Sequence, residues 1–391
     1  MSFDFDEVID RRNTHSVKWD ACEALYGVSP DDGISMWVAD MDFRPPEAVS
    51  RTLAEAIDHG VHGYYGNDGP YKAAITGWMK RRHGWDVDPA WVATTHGLVA
   101  AVGLCLQAFS APGDGIILFT PVYHAFAKMI NANDRTIVES LLVNDDGRYR
   151  MDLEGLASQL TGSERMVILC SPHNPGGRVW TEDELRELGA FCVKHDLVLV
   201  SDEVHHDLTF PGQTHHVAAK LMPELADRLV TLTAASKTFN LAGGMTGNAI
   251  IADPDMRARF AKVHLAAGAS PNRFGMLMTE AAYAEGDGWL DELIAYLDGN
   301  RRLFDAGVNA IPGLASMNLE ATYLAWVDFS GTGMDRAKFT RRVQSDAQIA
   351  ANHGPTFGSG GESFLRFNLA TRRALVERAV ERLQAAFADL Q

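Results

Sequence analysis

Apolar residues along the chain fall into short unbroken runs, separated by longer stretches in which apolar positions recur at helical spacing. Five of the short runs predict strands: WVATTHG (91–97), GIILFTPVY (115–123), RMVILCSP (165–172), LVLVSDE (197–203) and LVTLTAAS (229–236). These runs are apolar on both faces, which is the pattern of a parallel sheet buried between two layers of helices. The alternation of strands and helices predicts a doubly wound α/β domain with a mostly parallel sheet.

The clearest helix signal is the stretch TEDELRELGAFCVKH (181–195). Thr181 stands at its start and Glu184 follows three residues later, which is the spacing of a capping box. Such a pair satisfies two backbone N–H groups that a helix start leaves free. We therefore predict a helix that begins after Thr181 and crosses between two strands of the sheet.

From about residue 286 the pattern changes to longer charged helices around one strand-like run, ATYLAWVDF (321–329). The last segment, TRRALVERAVERLQAAFADL (371–390), repeats apolar residues at helical spacing and would bury one stripe. This texture predicts a smaller α+β domain. We divide the chain into an N-terminal arm that joins the small domain (1–45), a large α/β domain (46–285) and the small C-terminal domain (286–391).

Composition and charge narrow the classes of function. The 391 residues are 46% hydrophobic and 22% charged, and the net charge of −16 argues against a nucleic-acid partner. The start, MSFDFDEVIDRR, is acidic, and no window approaches the ~18 consecutive apolar residues that a membrane span requires. We expect a cytoplasmic protein that binds neither nucleic acid nor a membrane.

The cysteines and histidines do not predict a metal site. The four cysteines are far apart, which favours core residues over disulfides or a CxxC pair: Cys22, Cys105, Cys170 and Cys192. Five potential ligands do lie close in sequence: His205, His206, Asp207, His215 and His216. Because adjacent histidines on a strand point to opposite faces and no HExxH-like spacing follows, we expect no metal.

Polar residues of unusual type follow the predicted strands, where ligands gather in open α/β sheets. Gly97 opens a helix whose free N–H groups suit a phosphate, Tyr123 follows the second strand, Asn174 lies between two prolines, Asp202 ends the fourth strand and Lys237 follows the fifth. Each has a plainer interpretation: a turn, a core aromatic, a surface lysine. Together they match the needs of one cofactor that carries a phosphate and a flat ring.

Seven motifs carry a resemblance to a known family. They are WVADMDF (37–43), HGYYG (62–66), SPHNPGG (171–177), SDEVHHDL (201–208), SKTFNLAG (236–243), ATYLAWVDF (321–329) and FLRFNLA (364–370). With these motifs the chain resembles, over essentially its whole length, a fold-type I pyridoxal-phosphate enzyme of the aminotransferase class I/II superfamily. WVADMDF and SKTFNLAG are specific for its cystathionine β-lyase or C–S lyase group. The resemblance implies a homodimer with shared active sites.

The resemblance also implies a role for each candidate residue. Lys237 bonds covalently to the cofactor's aldehyde and is the general base at the substrate's Cα, Asp202 pairs with the ring nitrogen, and Arg366 binds the substrate's α-carboxylate. The implied cofactor contacts are Asn174 and His205 at the phenolic oxygen, Tyr123 on the ring face, Gly97, Leu98 and Ser236 at the phosphate, and Tyr64 reaching the phosphate from the neighbouring subunit.

One departure bears on the reaction. Many aminotransferases carry an arginine eight residues after the lysine, and here that residue is Met245. Because WVADMDF and SKTFNLAG resemble the lyase group and Met245 departs from that aminotransferase pattern, we favour a β-lyase that cleaves L-cystathionine or a related cysteine S-conjugate to thiol, pyruvate and ammonia. An aminotransferase is the main alternative, and a pyridoxal-phosphate-binding regulatory protein is the alternative of another class. The absence of G-x-G-x-x-G after any early strand argues against a nicotinamide-dependent dehydrogenase.

Overall fold

A computed structural model describes residues 3–390 of the chain. Its strands are, in chain order, β1 (Ile34–Ser35), β2 (Val92–Thr95), β3 (Gly115–Thr120), β4 (Thr136–Leu141), β5 (Val143–Asp145), β6 (Arg148–Arg150), β7 (Glu164–Cys170), β8 (Val198–Asp202), β9 (Leu229–Thr233), β10 (Gly247–Ile250), β11 (Ala315–Ser316), β12 (Leu324–Asp328), β13 (Ile349–Ala350), β14 (Asn352–His353) and β15 (Phe364–Asn368).

The α-helices are, in chain order, α1 (Val17–Asp20), α2 (Cys22–Tyr26), α3 (Glu47–His59), α4 (Gly69–His83), α5 (Leu98–Phe109), α6 (His124–Ala132), α7 (Leu153–Gln159), α8 (Glu182–Lys194), α9 (Ala218–Leu221), α10 (Ala235–Thr238), α11 (Pro254–Ala267), α12 (Arg273–Glu285), α13 (Asp287–Asn309), α14 (Arg336–Arg341) and α15 (Arg373–Ala386). Shorter 3₁₀ segments are Pro89–Trp91, Pro223–Arg228, Ala242–Gly244, Ser330–Thr332, Gly354–Phe357 and Ala388–Leu390, and Arg342–Asp346 is a π-helical turn.

Seven strands form the central sheet, in the order β2-β10-β9-β8-β7-β3-β4. Every neighbouring pair is parallel except that β10 is antiparallel to both β2 and β9. Two antiparallel pairings in succession leave β2 pointing the same way as β9. The carboxyl ends of β2, β3, β7, β8 and β9 therefore meet at one edge of the sheet, and the predicted mostly parallel, doubly wound α/β fold is confirmed.

The sheet is buried on both faces, as the unbroken apolar runs predicted. In β3, Ile117 and Phe119 belong to one apolar cluster, whereas Ile116 and Leu118 belong to another on the opposite face. Each of these side chains is at most 2% exposed. Burying an aliphatic or aromatic side chain of this size stabilises a fold by roughly 1.5–3 kcal/mol, so the two helical layers are held mainly by such contacts.

The predicted helix after Thr181 is α8, and it begins with the predicted capping box. The Thr181 hydroxyl accepts from the Glu184 N–H at 3.2 Å, and the Glu184 carboxylate accepts from the Thr181 N–H at 2.9 Å. The C-terminal helix α15 likewise buries the predicted apolar stripe. The four cysteines are free and buried, as predicted for core residues.

A second, antiparallel sheet, in the order β11-β12-β15-β14, lies in the C-terminal part of the chain. The N-terminal segment reaches this part, because β1 pairs in parallel with β13, with Ile34 opposite Ile349. The three-part domain division stays a prediction. Within residues 3–390, no helix has both the length and the apolarity that crossing a membrane requires.

Candidate active site

A cavity of about 710 Å³ opens at the edge of the sheet where the parallel strands end. Nine of the ten predicted site residues line it: Gly97, Leu98, Tyr123, Asn174, Asp202, His205, Ser236, Lys237 and Arg366. The tenth, Tyr64, is not among the lining residues; it lies on the loop between α3 and α4 with its side chain 99% exposed. The five strand-end residues from Gly97 to Lys237 thus lie around one cavity, and Arg366, which the resemblance supplied, joins them from β15.

Lys237 lies on α10, the single helical turn that follows β9. Its Nζ donates to the Ala39 carbonyl oxygen at 2.7 Å. Burial lowers the pKa of the Lys237 ammonium to about 8, with the nearby carboxylate of Asp40 opposing the shift. A larger fraction of this amine is therefore neutral near physiological pH than for a surface lysine, and a neutral amine is both a nucleophile and a base.

Asp202 ends β8 and is only 5% exposed. Burial raises the pKa of its carboxyl to about 6, although the hydrogen bond from the Val204 N–H, 3.1 Å from Oδ1, favours the charged form. A carboxylate in such surroundings is stabilised by any cation that approaches it. Asp202 can therefore hold a protonated ring nitrogen in the cavity.

Arg366, on β15, fixes the orientation of Asn174. Its Nη1 donates to Asn174 Oδ1 at 2.9 Å, and its Nη2 donates to the Trp37 carbonyl oxygen at 2.8 Å. Because a guanidinium only donates, the Asn174 oxygen must face Arg366, and the amide NH₂ is left for an acceptor in the cavity. Arg366 Nε is buried and has no hydrogen-bond partner within residues 3–390. The arginine thus keeps donors available for an anion.

His205, in the turn after β8, presents a neutral imidazole to the cavity. Its side chain is buried, and Nδ1 has no hydrogen-bond partner in the described part of the chain. Burial lowers the pKa of His205 well below its usual value, and the positive charges of Lys237 and Arg366 lower it further. A neutral ring has one donor and one acceptor nitrogen, which suits a ligand oxygen.

The start of α5 forms a cradle for an anion. Gly97 caps this helix with φ +77°, a left-handed conformation that favours glycine, and none of the side chains in residues 3–390 caps it. The first N–H groups of the helix therefore stay free, and the helix dipole favours a negative group there. Met245, where many aminotransferases carry an arginine, lines the same cavity and would lie 3.7 Å from a Cβ on Gly97.

The first three residues of the segment 37–43 line the cavity, and three further side chains hold the segment in place. The Tyr323 hydroxyl donates to the Ala39 carbonyl oxygen at 2.9 Å, and the same oxygen accepts the hydrogen bond from Lys237 Nζ. Asn368 and Asn240 donate to other carbonyls of this segment, at 2.6–3.0 Å. The sequence argument did not assign these three residues a role, although all of them lie inside its quoted motifs. Hydrogen bonds from side chains to backbone carbonyls cannot be predicted from the spacing of residues in a motif.

Comparisons with known proteins identify the family of the chain. The family model for aminotransferase class I and II matches residues 31–383. The chain belongs to this family. The chain is 40% identical to cystathionine beta-lyase PatB of Bacillus subtilis over 385 residues, which are 98% of this chain and 99% of the relative. The family resemblance on which the sequence interpretation relied is therefore confirmed.

Two solved structures of the same fold hold the same cofactor. Cystalysin from Treponema denticola, with pyridoxal 5'-phosphate, is 38% identical with a TM-score of 0.95 and full coverage of both chains. A pyridoxal-phosphate-bound putative aminotransferase from Clostridium difficile is 33% identical, with a TM-score of 0.95 over 99% of this chain and 100% of that one. These two solved structures thus share the fold and the cofactor but belong to differently named proteins.

Proposed function

We propose that the chain is a pyridoxal-phosphate-dependent carbon–sulfur β-lyase that cleaves L-cystathionine or a related cysteine S-conjugate to thiol, pyruvate and ammonia. The observation that carries the proposal is the convergence in one cavity of a half-buried amine, Lys237, with a buried carboxylate, Asp202, and a buried guanidinium, Arg366. The full-length similarity to a cystathionine β-lyase favours this reaction among those that such a cavity supports.

The donor set of the cavity fits pyridoxal phosphate. The free N–H groups at the start of α5 suit its phosphate, together with the Ser236 hydroxyl. The buried Asp202 suits its ring nitrogen, and the unpartnered His205 Nδ1 suits its phenolic oxygen. Tyr123, whose ring lies in the same cavity, offers a flat face to the cofactor's ring. When bound, the cofactor supplies an electrophilic aldehyde and an electron-withdrawing ring.

The chain's own residues then divide the work. Arg366 binds the substrate's α-carboxylate with its planar fork, which orients the amino acid. Lys237 Nζ removes the proton at Cα, and its lowered pKa matches this task. Asp202 holds positive charge at the ring nitrogen and so stabilises the electron-rich state that follows proton removal. Loss of the Cα proton allows the thiolate on Cβ to leave.

The proposed reaction is tested by its products. The purified holoenzyme with L-cystathionine, and without any added 2-oxo acid, should release pyruvate, ammonia and thiol in equal amounts over many turnovers. Elimination regenerates the enzyme without an acceptor, because the amino group leaves as ammonia. The measurement is the yield of each product per active site, with L-alanine, which has no leaving group on Cβ, as the control substrate.

A different yield would identify the alternative reaction. An aminotransferase keeps the substrate's amino group, so turnover would stop after one equivalent and resume only on addition of a 2-oxo acid. This alternative is supported by the similarity to the putative aminotransferase from Clostridium difficile. The residue Met245, in place of an arginine, weighs against it. Turnover that requires a 2-oxo acid would contradict the lyase proposal.

We propose further that the protein is a homodimer in which Tyr64 completes the site of the other subunit. Tyr64 is 99% exposed. The carbonyl oxygens of Gly63 and Tyr64 accept hydrogen bonds from Arg273 Nη1 at 3.3 and 3.4 Å, which holds the loop. The neighbouring Val61 is 65% exposed. An exposed tyrosine and valine on a fixed loop are typical of a surface that another subunit covers.

A mixed dimer distinguishes a shared site from a self-contained one. Lys237→Ala and Tyr64→Ala chains should each be impaired alone, yet their heterodimer has one site with an intact Lys237 and an intact Tyr64. Statistical mixing makes half the dimers heterodimers, so about one quarter of wild-type activity should return. If Tyr64 acted within its own chain, every site in the mixture would carry a defect and activity would not return.

We also propose a cytoplasmic location. The four cysteines are buried free thiols. Disulfide bonds are typical of proteins in oxidising compartments, and free thiols are typical of cytoplasmic proteins. Cell fractionation with an antibody to the chain tests this; recovery in an extracellular or periplasmic fraction would contradict it.

A further inference from the structure

We propose that His83, His206 and Asp207 form a binding site for a divalent transition metal, Zn²⁺, beside the proposed active site. His83 is the last residue of α4, and the other two lie in the turn that follows β8. One ligand atom from each residue lies within 4.8 Å of the others. The proposal is independent of the reaction assigned above, because none of these three residues lines the cavity that holds Lys237.

The three side chains lie close enough together to bind one metal ion. His83 Nε2 lies 2.7 Å from Asp207 Oδ1, and His206 Nε2 lies 3.1 Å from Asp207 Oδ2. The two imidazole rings have centroids 4.5 Å apart. Zinc binds histidine nitrogen and carboxylate oxygen at about 2.0–2.2 Å, so modest rotations of the rings would bring all three atoms onto one ion.

His206 supplies a second observation that points to a ligand. Its side chain is fully buried, and Nδ1 has no hydrogen-bond partner within residues 3–390. Nε2 lies 3.1 Å from Asp207 Oδ2 as an ion-pair contact, without hydrogen-bond geometry. A buried ring nitrogen without a hydrogen-bond partner is unfavourable. A metal ion satisfies the lone pair of such a nitrogen and the adjacent carboxylate at the same time.

The surroundings orient the carboxylate as outer partners do in metal sites. Trp78 Nε1 donates to Asp207 Oδ1 at 3.0 Å, and Thr238 Oγ1 donates to Asp207 Oδ2 at 2.7 Å. Hydrogen bonds of this kind fix a ligating carboxylate and are part of the design of metal centres. Nearby His215 is paired with Glu203 at 2.9 Å, so it is not counted as a ligand.

A groove of about 490 Å³ lies beside the cluster and is lined by the three proposed ligands and by His215 and His216. The side chains of His206 and Asp207 are 0% exposed and that of His83 is 8% exposed, so His83 is the most accessible of the three. Zinc with three protein ligands commonly takes a water as the fourth, which would enter from the side of His83. The basic residues of the groove are engaged elsewhere: Lys220 donates to the His83 carbonyl at 2.9 Å, Arg82 pairs with Asp291 at 2.8 Å, and Arg186 donates to the Leu221 carbonyl at 3.3 Å.

From the sequence we expected no metal, because adjacent histidines on a strand point to opposite faces and because no HExxH-like spacing follows. The structure removes the first reason, since His205 and His206 lie in the turn after β8 and not on a strand. The second reason concerns only nearby residues, and the further proposed ligand, His83, is 124 residues before Asp207. Two imidazoles and a carboxylate are donors typical of Zn²⁺ among divalent ions.

The position of the site predicts a bracing effect. Asp207 binds Thr238, the residue after Lys237, and His83 belongs to α4. An ion held by these residues would tie α4, the turn after β8 and α10 together. We therefore expect Zn²⁺ to stabilise the folded protein as well as to bind it.

The test uses the holoenzyme after removal of metals with a chelator. Zn²⁺ is added, excess ion is removed by gel filtration, and the zinc content per chain is measured together with Tm. Wild-type protein should retain about one ion per chain and gain roughly 2 °C or more in Tm. The variants His206→Gln and His83→Gln should bind at least about 100-fold more weakly, since loss of an outer partner alone costs about 10- to 100-fold.

The matched control is His216→Ala, which changes a histidine of the same groove that pairs with Glu182 instead. It should retain zinc and the rise in Tm as the wild-type protein does. Two variants at different ligands guard against the failure of one to fold, which Tm without zinc reports directly. Equal zinc retention by His206→Gln, His83→Gln and wild type would overturn the proposal. So would the absence of retained zinc in the wild-type protein.

Discussion

Lys237→Ala will abolish the proposed β-elimination and the covalent attachment of the cofactor together. One amine is assigned both tasks, and its Nζ lies in the cavity with a pKa lowered by burial. Removal of a positioned general base costs about 10²–10⁴-fold in rate, and loss of the nucleophile adds to this, so we expect kcat to fall by at least ~10³-fold. Pyruvate release from L-cystathionine measures the first effect.

Attachment is measured by reducing the holoenzyme with borohydride and locating the modified peptide by mass spectrometry. In the wild-type protein the cofactor should be fixed to the peptide that contains Lys237, and in the alanine variant it should be released on denaturation. Lys262→Ala, which changes an exposed lysine of α11, is the matched control and should leave both readouts unchanged. Full turnover in Lys237→Ala, or fixation at another lysine, would show that the assignment is wrong.

The sequence predicted the five strands that carry the site because their apolar runs are long and bounded by polar or turn residues. Two strands of the central sheet were not predicted. β4 (TIVESL) is an edge strand with a glutamate and mostly half-buried or exposed positions, so it has no continuous apolar run. β10 (GNAI) is short and places Asn248 at a fully buried position.

Asn248 is tolerated in β10 because of a contact that the local sequence does not contain. The Tyr71 hydroxyl, on α4, donates to Asn248 Oδ1 at 2.8 Å. This bond satisfies the amide oxygen, whereas Nδ2 is buried without a hydrogen-bond partner within residues 3–390. The partner of the oxygen lies 177 positions away, so the local sequence of β10 does not show it.

The same reasoning separates what was and was not predictable in the site. Strand ends in a parallel sheet share one edge, so the convergence of Gly97, Tyr123, Asn174, Asp202 and Lys237 followed from topology. The hydrogen bonds that orient these residues did not follow from the topology of the sheet. The Ala39 carbonyl that receives Lys237 comes from the N-terminal segment, and the pairing of Arg366 with Asn174 joins two parts of the chain.

Arg366→Lys will weaken the binding of amino-acid substrates although it keeps the positive charge. The guanidinium already uses two donors on Asn174 and the Trp37 carbonyl and has further donors for a carboxylate. A lysine has neither the reach nor the planar fork for all of these contacts. Loss of one charge-assisted hydrogen bond costs about 1.5–3 kcal/mol, so kcat/KM for L-cystathionine should fall by roughly 10- to 150-fold, and further because Asn174 loses its orientation.

A comparison of two small ligands separates substrate binding from general damage to the site. L-alanine carries the α-carboxylate and ethylamine does not, and the binding of each to the holoenzyme is measured by the change in the cofactor's absorbance. If Arg366 binds the carboxylate, Arg366→Lys should weaken the binding of L-alanine by roughly 10- to 150-fold and the binding of ethylamine only slightly. Arg341→Lys, an exposed arginine on α14, controls for the loss of a guanidinium elsewhere. Equal weakening of both ligands would mean that Arg366 acts by holding Asn174 and the segment 37–43 in place, because only the carboxylate contact distinguishes the two molecules.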